Sequence, residues 1–343
     1  MAIPVVNGAF AAQRVTGQQR YATEIASVLE SRFGVRRVSI THSDSAWRAW
    51  CESQTMTRGL AADELLLTLT SRGPVRSRRQ VVVVHDVFVL EHPEWFSRRY
   101  VLTHAPVLRQ QIRSAAGLVA VSEATAEAVA RHVPDGHSIV VASNAPAGVF
   151  LNPAPEDVRV RVLDKNRLES GRFFLCVGSL DPRKNLRSLV TAHLALPEAM
   201  RDEYPLVIVG AAGAAFANAE LPVDDEIRLL GYVSDEELSA LYSEASAVLF
   251  ASLDEGFGLP LVEALAAGAR LLVSDIEVFR WVAETQAEFV APLDVPGWTA
   301  AMRRAAESGA IAPEDRETRR RSVESRFSWA RSAQAIRDLV STL

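Results

Sequence analysis

The sequence predicts an α/β fold with two Rossmann-like domains that face a central cleft. Short apolar segments alternate with helical segments along all 343 residues, a pattern typical of parallel sheets. The stretch Ser143–Asp157, which contains three prolines, separates two such series. Most glycine-containing and charged motifs follow predicted strands, where open α/β sheets bind their ligands. We therefore expect an N-terminal domain at 1–150 and a C-terminal domain at 151–325.

The first domain is predicted from short Val-, Leu- and Ile-rich strand segments and the helices between them. Thr16 and Gln19 have the spacing of a capping box at the start of the first helix. The predicted strands are 3–7, 35–40, 80–84, 117–121 and 138–142, and the predicted helices are 17–31, 60–70, 98–115 and 123–132.

The second domain repeats the strand–helix pattern and ends in helices. Its predicted strands are 173–178, 205–210, 227–230, 247–251, 270–273 and 287–290.

Composition favours a globular protein of the cytoplasm. The apolar content is 48%, and no apolar run approaches the roughly 20 residues of a membrane span. The N-terminus has no basic segment before an apolar stretch, so no signal peptide is predicted. Cys51 and Cys176 lie in ordinary segments, which fits a reducing compartment and predicts neither a disulfide framework nor a metal site.

Charge is divided unevenly along the chain. Residues 1–150 carry 16 basic and 12 acidic residues, whereas the remainder carries 21 basic and 30 acidic residues. Arginines of the first domain recur along one predicted helix, at Arg98, Arg99, Arg109 and Arg113. These arginines form either an ordinary solvated surface or a surface that binds anionic groups. The anionic groups would be lipid headgroups, with the protein peripheral at the inner membrane face, or a lipid-diphosphate acceptor. The net charge of −5 does not favour nucleic acid as a partner.

The most informative string runs from Glu255 to Gly268, directly after the predicted strand 247–251. Pro260 suits the first position of a helix, whose free N–H groups and dipole favour a phosphate. Glu263 lies about one turn into that helix, roughly 5 Å along its axis, where it could accept from ribose hydroxyls. Glu255 stays on the loop, where it could accept from sugar hydroxyls. The alternative is a buried strand–helix unit with two solvated acids.

Two cations follow the predicted strand that ends at Gly178. They are Arg183 and Lys184, and Lys184 is one of only two lysines in the chain. A compact ammonium suits a phosphate as a point charge. The predicted role is neutralisation of a diphosphate leaving group, and the alternative is a surface salt bridge.

Two positions of the first domain are candidates on similar grounds. His85 ends a strand beside Asp86, which is compatible with a His–Asp dyad or with a packed or capping histidine. Gly17 opens a helix, which is compatible with helix capping alone or with close approach of the backbone to a phosphate or acceptor.

The string from Glu255 to Gly268 resembles the donor-binding motif of the family 4 retaining glycosyltransferases, which have the two-domain GT-B fold. Further segments resemble motifs of that family in the same order, and they are Thr16–Tyr21, Val84–Val87, His92–Phe96, Val177–Asn185, Leu230–Leu238 and Phe327–Trp329. The resemblance covers nearly the whole chain and implies that the last helix, at 326–343, packs back on the N-terminal domain.

The resemblance also implies which residues act. The residues implied in catalysis are Glu255, Lys184, Arg183 and His85, with His85 contacting the donor sugar and not acting as a simple base. The residues implied in donor binding are Glu263, Gly258, Leu259, Gly256, Gly17, Ser179, Tyr232 and Val233. Ser179 departs from the pattern, because many members have Arg after the glycine that corresponds to Gly178. A subgroup carries an adjacent Arg-Lys pair instead, as this chain does.

The implied activity is retaining transfer of a sugar from a nucleotide-diphosphate donor to a hydroxyl of a glycan or lipid-linked acceptor. The resemblance is to mannosyl- and rhamnosyl-type enzymes of bacterial surface polysaccharide synthesis and favours GDP-mannose, with UDP-glucose as the alternative. We expect no metal and no cofactor. Competing hypotheses are a GT-B sugar-nucleotide epimerase or phosphorylase, and a non-catalytic sugar-nucleotide-binding subunit.

Overall fold

The chain forms two compact units in a computed structural model that describes residues 2–12, 17–39, 46–70, 73–179, 181–210 and 226–343. The first unit comprises Met1–Asn144 and Phe327–Leu343, and the second comprises Ala145–Arg326. Each unit contains a parallel sheet with helices, so the predicted α/β class is confirmed. Thr16, which was expected to cap the first helix, lies outside the described residues.

In the described part of the first unit, a six-stranded parallel sheet has the order β2-β1-β3-β4-β5-β6. Its strands are β1 Ile3–Asn7, β2 Arg37–Val38, β3 Glu64–Thr68, β4 Gln80–Val84, β5 Gly117–Ala120 and β6 Ile139–Val141. Its helices are α1 Gly17–Phe33, α2 Ala46–Thr55, α3 Phe88–Glu91, α4 Arg98–Ser114, α5 Glu123–Ala130 and the C-terminal α14 Trp329–Thr342.

In the described part of the second unit, another six-stranded parallel sheet has the order β12-β11-β10-β7-β8-β9. Its strands are β7 Phe174–Val177, β8 Leu206–Val209, β9 Ile227–Gly231, β10 Ala247–Phe250, β11 Leu271–Ser274 and β12 Glu288–Val290. Its helices are α6 Glu156–Asn166, α7 Leu186–Leu194, α8 Glu198–Glu203, α9 Asp235–Glu244, α10 Leu259–Ala266, α11 Glu277–Ala283, α12 Val295–Glu307 and α13 Pro313–Arg326.

The central strands are short, largely apolar and buried on both faces. Every residue of β4, β7 and β10 is buried, as parallel strands covered by helices on both sides require. The core of the second unit packs β7 and β10 against α7 and α12, with Trp298 fully buried among them. This rigid sheet places the loops at its carboxyl edge.

Strand order marks one position in each sheet where neighbouring loops diverge. In the second unit the chain runs outward from β7 through β8 to β9 and then returns to the opposite side of β7 with β10. The loops after β7 and β10 therefore lead away from each other and leave a crevice, which is where open α/β sheets bind ligands. In the first unit the corresponding reversal lies between β1 and β3.

The helix predicted at 60–70 is wrong, because Glu64–Thr68 forms strand β3. The segment is rich in leucine and contains two acids, a composition that favours helix when the chain is considered alone. In the fold it pairs with β1 on one side and β4 on the other, and Leu66 and Leu67 are fully buried. Tertiary pairing and burial override local propensity at this position.

The C-terminal helix α14 packs within the first unit, against α1 and β1. Its buried face comprises Ala333, Ile336, Leu339 and Val340, which recur at helical spacing. Ser332 Oγ donates to Ser143 O at 2.8 Å, which fixes the helix beside the end of β6. Among the described residues, no helix combines the length and apolar character needed to cross a membrane.

Candidate donor-binding site

The strongest candidate site lies at the carboxyl ends of β7 and β10, which are neighbours in the second sheet. The loop after β7 carries a 3₁₀ turn at Pro182–Lys184, and the loop after β10 carries Glu255. Asn185 adopts a left-handed conformation between this turn and α7. Its Nδ2 donates to Ala251 O at 3.1 Å and to Pro292 O at 2.7 Å, so the two loops are tied together.

Three predicted catalytic residues meet in this crevice as an ion-pair cluster. Lys184 Nζ lies 2.5 Å from Glu255 Oε1, and Arg183 Nη1 lies 3.0 Å from Glu255 Oε2. Each cation therefore has its own oxygen of one carboxylate. Only 9% of the Glu255 side chain is exposed, against 16% and 18% for Lys184 and Arg183. The alternative of a solvated surface salt bridge does not describe this geometry.

The charge of Glu255 depends on its two cationic neighbours. Burial alone raises the pKa of a carboxyl group, because it disfavours the charged form. The nearby Lys184 and Arg183, together with hydrogen bonds from Lys184 and Ser252, outweigh burial and lower the pKa of Glu255 to about 2. Glu255 is therefore an anion at neutral pH and accepts hydrogen bonds without being able to donate one.

Two further residues of the cluster were not identified as site residues from the sequence. Asp181 is 4% exposed and accepts from Arg183 Nη2 at 3.1 Å and from the Arg183 backbone N–H at 2.9 Å. Ser252 is buried and its Oγ donates to Glu255 Oε1 at 2.8 Å. The one sequence feature that could have indicated these two residues is a polar side chain shortly after a buried strand. Many other positions of the sequence share that feature, so it does not single them out.

The start of α10 has the conformation that close approach of a ligand requires. Gly258 precedes the helix with φ 90° and ψ 52°, and an added Cβ would lie 2.9 Å from Phe279 Cε1. Only glycine fits both conditions. The helix begins at Leu259, so Pro260 occupies its second position and not the predicted first one, because the left-handed Gly258 sets the start one residue earlier.

Glu263 lies inside α10 and Gly256 lies on the loop before it. The Glu263 side chain is buried and lies four residues after the helix start, roughly 6 Å along its axis. The two carboxylates are thus separated as predicted: Glu255 belongs to the ion-pair cluster and Glu263 to the helix.

The other donor-site candidates of this unit lie on loops after β7 and β9. Ser179 follows Gly178 on the β7 loop and is half-buried. Gly210 directly follows the neighbouring strand β8, and a Cβ added to it would lie 1.9 Å from Gly178 O. Tyr232 and Val233 follow β9, and the Tyr232 side chain is 82% exposed. Because β8 separates β9 from β7, these residues lie about two strand spacings, or roughly 10 Å, from the β7 loop.

The candidates of the first unit are assembled separately. His85 follows β4, and its Nε2 lies 2.9 Å from Leu69 O, which follows β3. A carbonyl only accepts, so Nε2 carries the proton. Burial lowers the pKa of His85 to about 4, although the bond to Leu69 opposes this shift. The imidazole is therefore neutral at physiological pH.

Asp86 and Gly17 have different local roles. Asp86 Oδ1 accepts from the backbone N–H of Phe88, the first residue of α3, at 3.3 Å. Gly17 is the first residue of α1 and is exposed, and an added Cβ would meet no described atom within 4 Å. The central cleft between the two domains stays a prediction.

The second-unit cluster supplies fixed cations, a buried anion and a helix start at one edge of a sheet. Such an arrangement can bind a phosphate ester and stabilise negative charge that develops on it. Within the described ranges, no group of three or more His, Cys, Asp or Glu side chains is placed to hold a metal ion.

Part of the chain, including the loops of this site, is similar to known proteins. Residues 162–322, which contain the β7 and β10 loops, match the sequence model of the family described as "Glycosyl transferases group 1". O-antigen chain mannosyltransferase B of Escherichia coli is 31% identical over 210 residues, which are 59% of this chain and 55% of that protein. O-antigen chain mannosyltransferase RfbU of Salmonella typhimurium is 30% identical over 232 residues, which are 66% of this chain and 60% of that protein. The matches thus span little more than half the length of these two relatives.

Similar solved structures cover nearly the whole chain or all of it. WaaG, a glycosyltransferase involved in lipopolysaccharide biosynthesis, has a TM-score of 0.72 at 15% identity and covers 98% of this chain and 99% of its own. HepE of Anabaena, solved in complex with UDP and glucose, has a TM-score of 0.72 at 15% identity and covers 100% of both chains. These likenesses show that the fold is the two-domain GT-B fold predicted from the sequence.

Substitution of Glu255 by glutamine tests the cluster through its pH dependence. The carboxylate is expected to stabilise the fold by about 3 kcal/mol relative to an unpaired acid, which is the free-energy equivalent of a shift in pKa from 4.5 to about 2. This advantage of the wild type over Glu255→Gln should be complete above pH 4.5 and disappear as the pH falls towards 2. Urea unfolding of both proteins across that range measures it. A stability difference that does not change with pH would contradict the assigned pKa.

Proposed function

We propose that the protein is a retaining glycosyltransferase that moves a sugar from a nucleotide-diphosphate donor to a hydroxyl group. The observation that carries this proposal is the cluster of Glu255, Arg183 and Lys184 at the strand-order reversal of the second sheet. The match of this segment to a glycosyltransferase family and the GT-B fold support it. Because the matched relatives are longer than the aligned region, the activity rests on the site and not on their names.

The cations are proposed to act on the leaving group. When the bond between the sugar and the diphosphate breaks, negative charge develops on the departing phosphate oxygen. A pre-organised ammonium and guanidinium stabilise this charge without having to reorient, which can be the largest single contribution to catalysis. The two loops hold Lys184 and Arg183 in place before a donor binds, because both cations are anchored on Glu255.

Glu255 is proposed to position the sugar and not to attack it. A carboxylate with a pKa of about 2 is a weak base and a poor nucleophile, because two cations stabilise its charge. Its oxygens can still accept hydrogen bonds from sugar hydroxyls. Retention is then explained by a front-face route, in which the departing phosphate oxygen takes the proton of the acceptor hydroxyl on the same face.

The remaining donor contacts follow from the carboxyl edge of the sheet. Gly256, Gly258 and Leu259 are proposed to hold the phosphates at the start of α10, and Glu263 the ribose hydroxyls. Ser179, on the loop after β7, is proposed to contact the phosphates, and the backbone groups of Tyr232 and Val233 are proposed to contact the nucleobase.

GDP-mannose is the favoured donor, and a hydroxyl of a glycan or lipid-linked acceptor in surface polysaccharide synthesis is the favoured acceptor. The support is that the curated relatives are named O-antigen mannosyltransferases. UDP-glucose is the alternative, and HepE was solved with UDP and glucose. In the first domain, His85 is proposed to contact the sugar and Gly17 to approach the donor phosphate or the acceptor.

The acceptor proposal gives a role to the basic helix of the first unit. Helix α4 carries four arginines and no acidic residue, and Leu102 on it is 77% exposed. The exposed ring of Tyr100 stacks between Phe96 and His104, with centroid distances of 5.2 Å and 3.8 Å. Cations beside exposed apolar and aromatic side chains suit an anionic lipid surface. We propose that α4 contacts such a surface from the cytoplasmic side.

Substitution of Lys184 or Glu255 by alanine should lower the rate of sugar transfer by about 100-fold or more, as removal of a pre-organised charge typically does. The matched control is Lys165→Ala, because Lys165 is the other lysine and pairs with Glu237 at 2.9 Å on an exposed surface. Release of nucleoside diphosphate together with formation of a new glycoside measures transfer and separates it from epimerisation and phosphorolysis. Full activity of both variants, or activity abolished by a chelator, would contradict the proposal.

A thermal-shift screen of nucleoside diphosphates should identify the base, since a ligand at 100 times its Kd stabilises the fold by about 2.7 kcal/mol. The wild type is expected to bind the best ribonucleotide about tenfold more tightly than its 2′-deoxy form, because a hydrogen bond to a carboxylate is lost. Glu263→Gln should reduce this preference, whereas the exposed control Glu277→Gln should keep it. If no nucleoside diphosphate stabilises the wild type, the donor proposal fails.

The pair Arg98→Glu and Arg99→Glu should weaken binding to vesicles rich in phosphatidylglycerol by at least about 30-fold, because each arginine near an anionic surface contributes roughly 1 kcal/mol. Co-sedimentation with anionic and neutral vesicles measures this effect. The control pair, Arg161→Glu and Arg187→Glu, makes the same charge change on the exposed surface of the second unit. Equal weakening by both pairs would show that net charge alone matters.

A further inference from the structure

Three aromatic rings are packed in series in the first unit, and His85 is the first of them. The Tyr21 ring meets the His85 ring edge-on, with a centroid distance of 5.1 Å and an interplanar angle of 90°. On its other side Tyr21 meets Trp329, at 5.7 Å and 73°. Tyr21 is fully buried, so it touches both neighbours without contact to solvent.

Tyr21 joins four segments that are distant in sequence. It lies one turn into α1, after Gly17, whereas His85 follows β4 and Trp329 begins α14. Its hydroxyl donates to Ala142 O at 3.0 Å, just after β6. Burial raises the pKa of Tyr21, so the hydroxyl stays protonated and keeps this bond. The ring is therefore held at both ends and cannot turn away from His85.

The His85 ring has one hydrogen-bonded nitrogen and one that is left for a ligand. Nε2 donates to Leu69 O at 2.9 Å, which makes Nδ1 of the neutral ring an acceptor. Among the residues that the structure describes, Nδ1 has no hydrogen-bond partner. Tyr21, whose ring contacts His85, stays neutral, and the sequence neighbour Asp86 accepts at Oδ1 from Phe88.

We propose that Tyr21, braced by Trp329, is a positioning residue that holds His85 as the neutral tautomer with Nδ1 as an acceptor. This inference rests on the proposed function, in which His85 contacts the sugar. It adds that His85 accepts a hydrogen bond from a sugar or acceptor hydroxyl and does not donate one to an anion. The C-terminal helix thereby contributes to the site through Tyr21.

Tyr21→Leu removes both the ring contact with His85 and the hydrogen bond to Ala142. NMR of the ¹⁵N-labelled imidazole then measures the tautomer and pKa of His85 without an activity assay. In the wild type His85 should keep its proton on Nε2 and titrate near pH 4. In Tyr21→Leu its pKa should rise by at least about one unit towards the ordinary value of 6.5, as water reaches the ring. Trp329→Leu should shift the pKa of His85 in the same direction by a smaller amount. This variant replaces Tyr21→Leu in the test if Tyr21→Leu does not fold.

The matched control is Tyr242→Leu, which removes a fully buried tyrosine of the second unit. It should lower the melting temperature by a similar amount and leave the titration of His85 unchanged. If the tautomer and pKa of His85 in a folded Tyr21→Leu or Trp329→Leu variant equal those of the wild type, the rings only stabilise the fold and the inference is overturned.

Activity separates this inference from the proposed function. If both hold, Tyr21→Leu lowers kcat/KM at least about tenfold, and the double variant Tyr21→Leu/His85→Ala is no slower than His85→Ala alone, because the two residues act as one unit. If the loss of kcat/KM in the double variant, relative to the wild type, equals the product of the losses in the two single variants, the two residues act independently and positioning through His85 is overturned. If NMR shows the expected shift while His85→Ala transfers sugar at the wild-type rate, positioning stands and the proposed role of His85 in transfer fails.

Discussion

The buried charge of Glu255 is the constraint on which the second unit's site depends. A carboxylate removed from water costs several kcal/mol unless cations and hydrogen-bond donors replace its hydration. Lys184, Arg183 and Ser252 supply these partners from the loops after β7 and β10. Such contacts at 2.5–3.0 Å are possible because the two strands are neighbours in the sheet.

The same interaction links the structure of the site to its proposed chemistry. Arg183 is shared between the carboxylates of Asp181 and Glu255, so its guanidinium is oriented before any ligand binds. A lysine ammonium has three donors, and Glu255 is its one hydrogen-bond partner among the described residues. A diphosphate can therefore join the cluster without dismantling it. The cost of orienting the charges is met during folding and not during the reaction.

The candidate residue of the first unit, His85, is neutral. His85 is half-buried against the Tyr21 ring and the Leu69 carbonyl, and no cation or carboxylate among the described residues pairs with it, so the uncharged ring is the stable form. A neutral imidazole offers an acceptor where a charged group would be too costly to bury. The candidate groups of the two units are thus of opposite character, ionised Glu255 in one and neutral His85 in the other, and the balance of burial against charged partners decides which form each takes.

The arrangement of strands was largely predictable from the sequence, because buried parallel strands are short apolar segments bounded by turns. Strands such as β1 and β4 begin and end at the predicted residues. Segment 60–70 was the exception, since its leucines and acids favour a helix locally while its position between β1 and β4 decides for a strand. Local propensity is worth tenths of a kcal/mol per residue, and burial of a leucine side chain is worth about 2 kcal/mol.

For the site, the sequence by itself determined the chemical inventory: two acids around a glycine turn, an adjacent pair of cations, and a histidine at a strand end. Only the tertiary structure decided how these groups are paired. Glu255 binds both cations although more than seventy residues separate it from them, Asp181 and Ser252 complete the cluster, and Tyr21 packs against His85. The physical reason is that strand order decides which loops are neighbours. The burial and hydrogen-bond partners that neighbouring loops provide then decide the charge of Glu255 and the tautomer of His85.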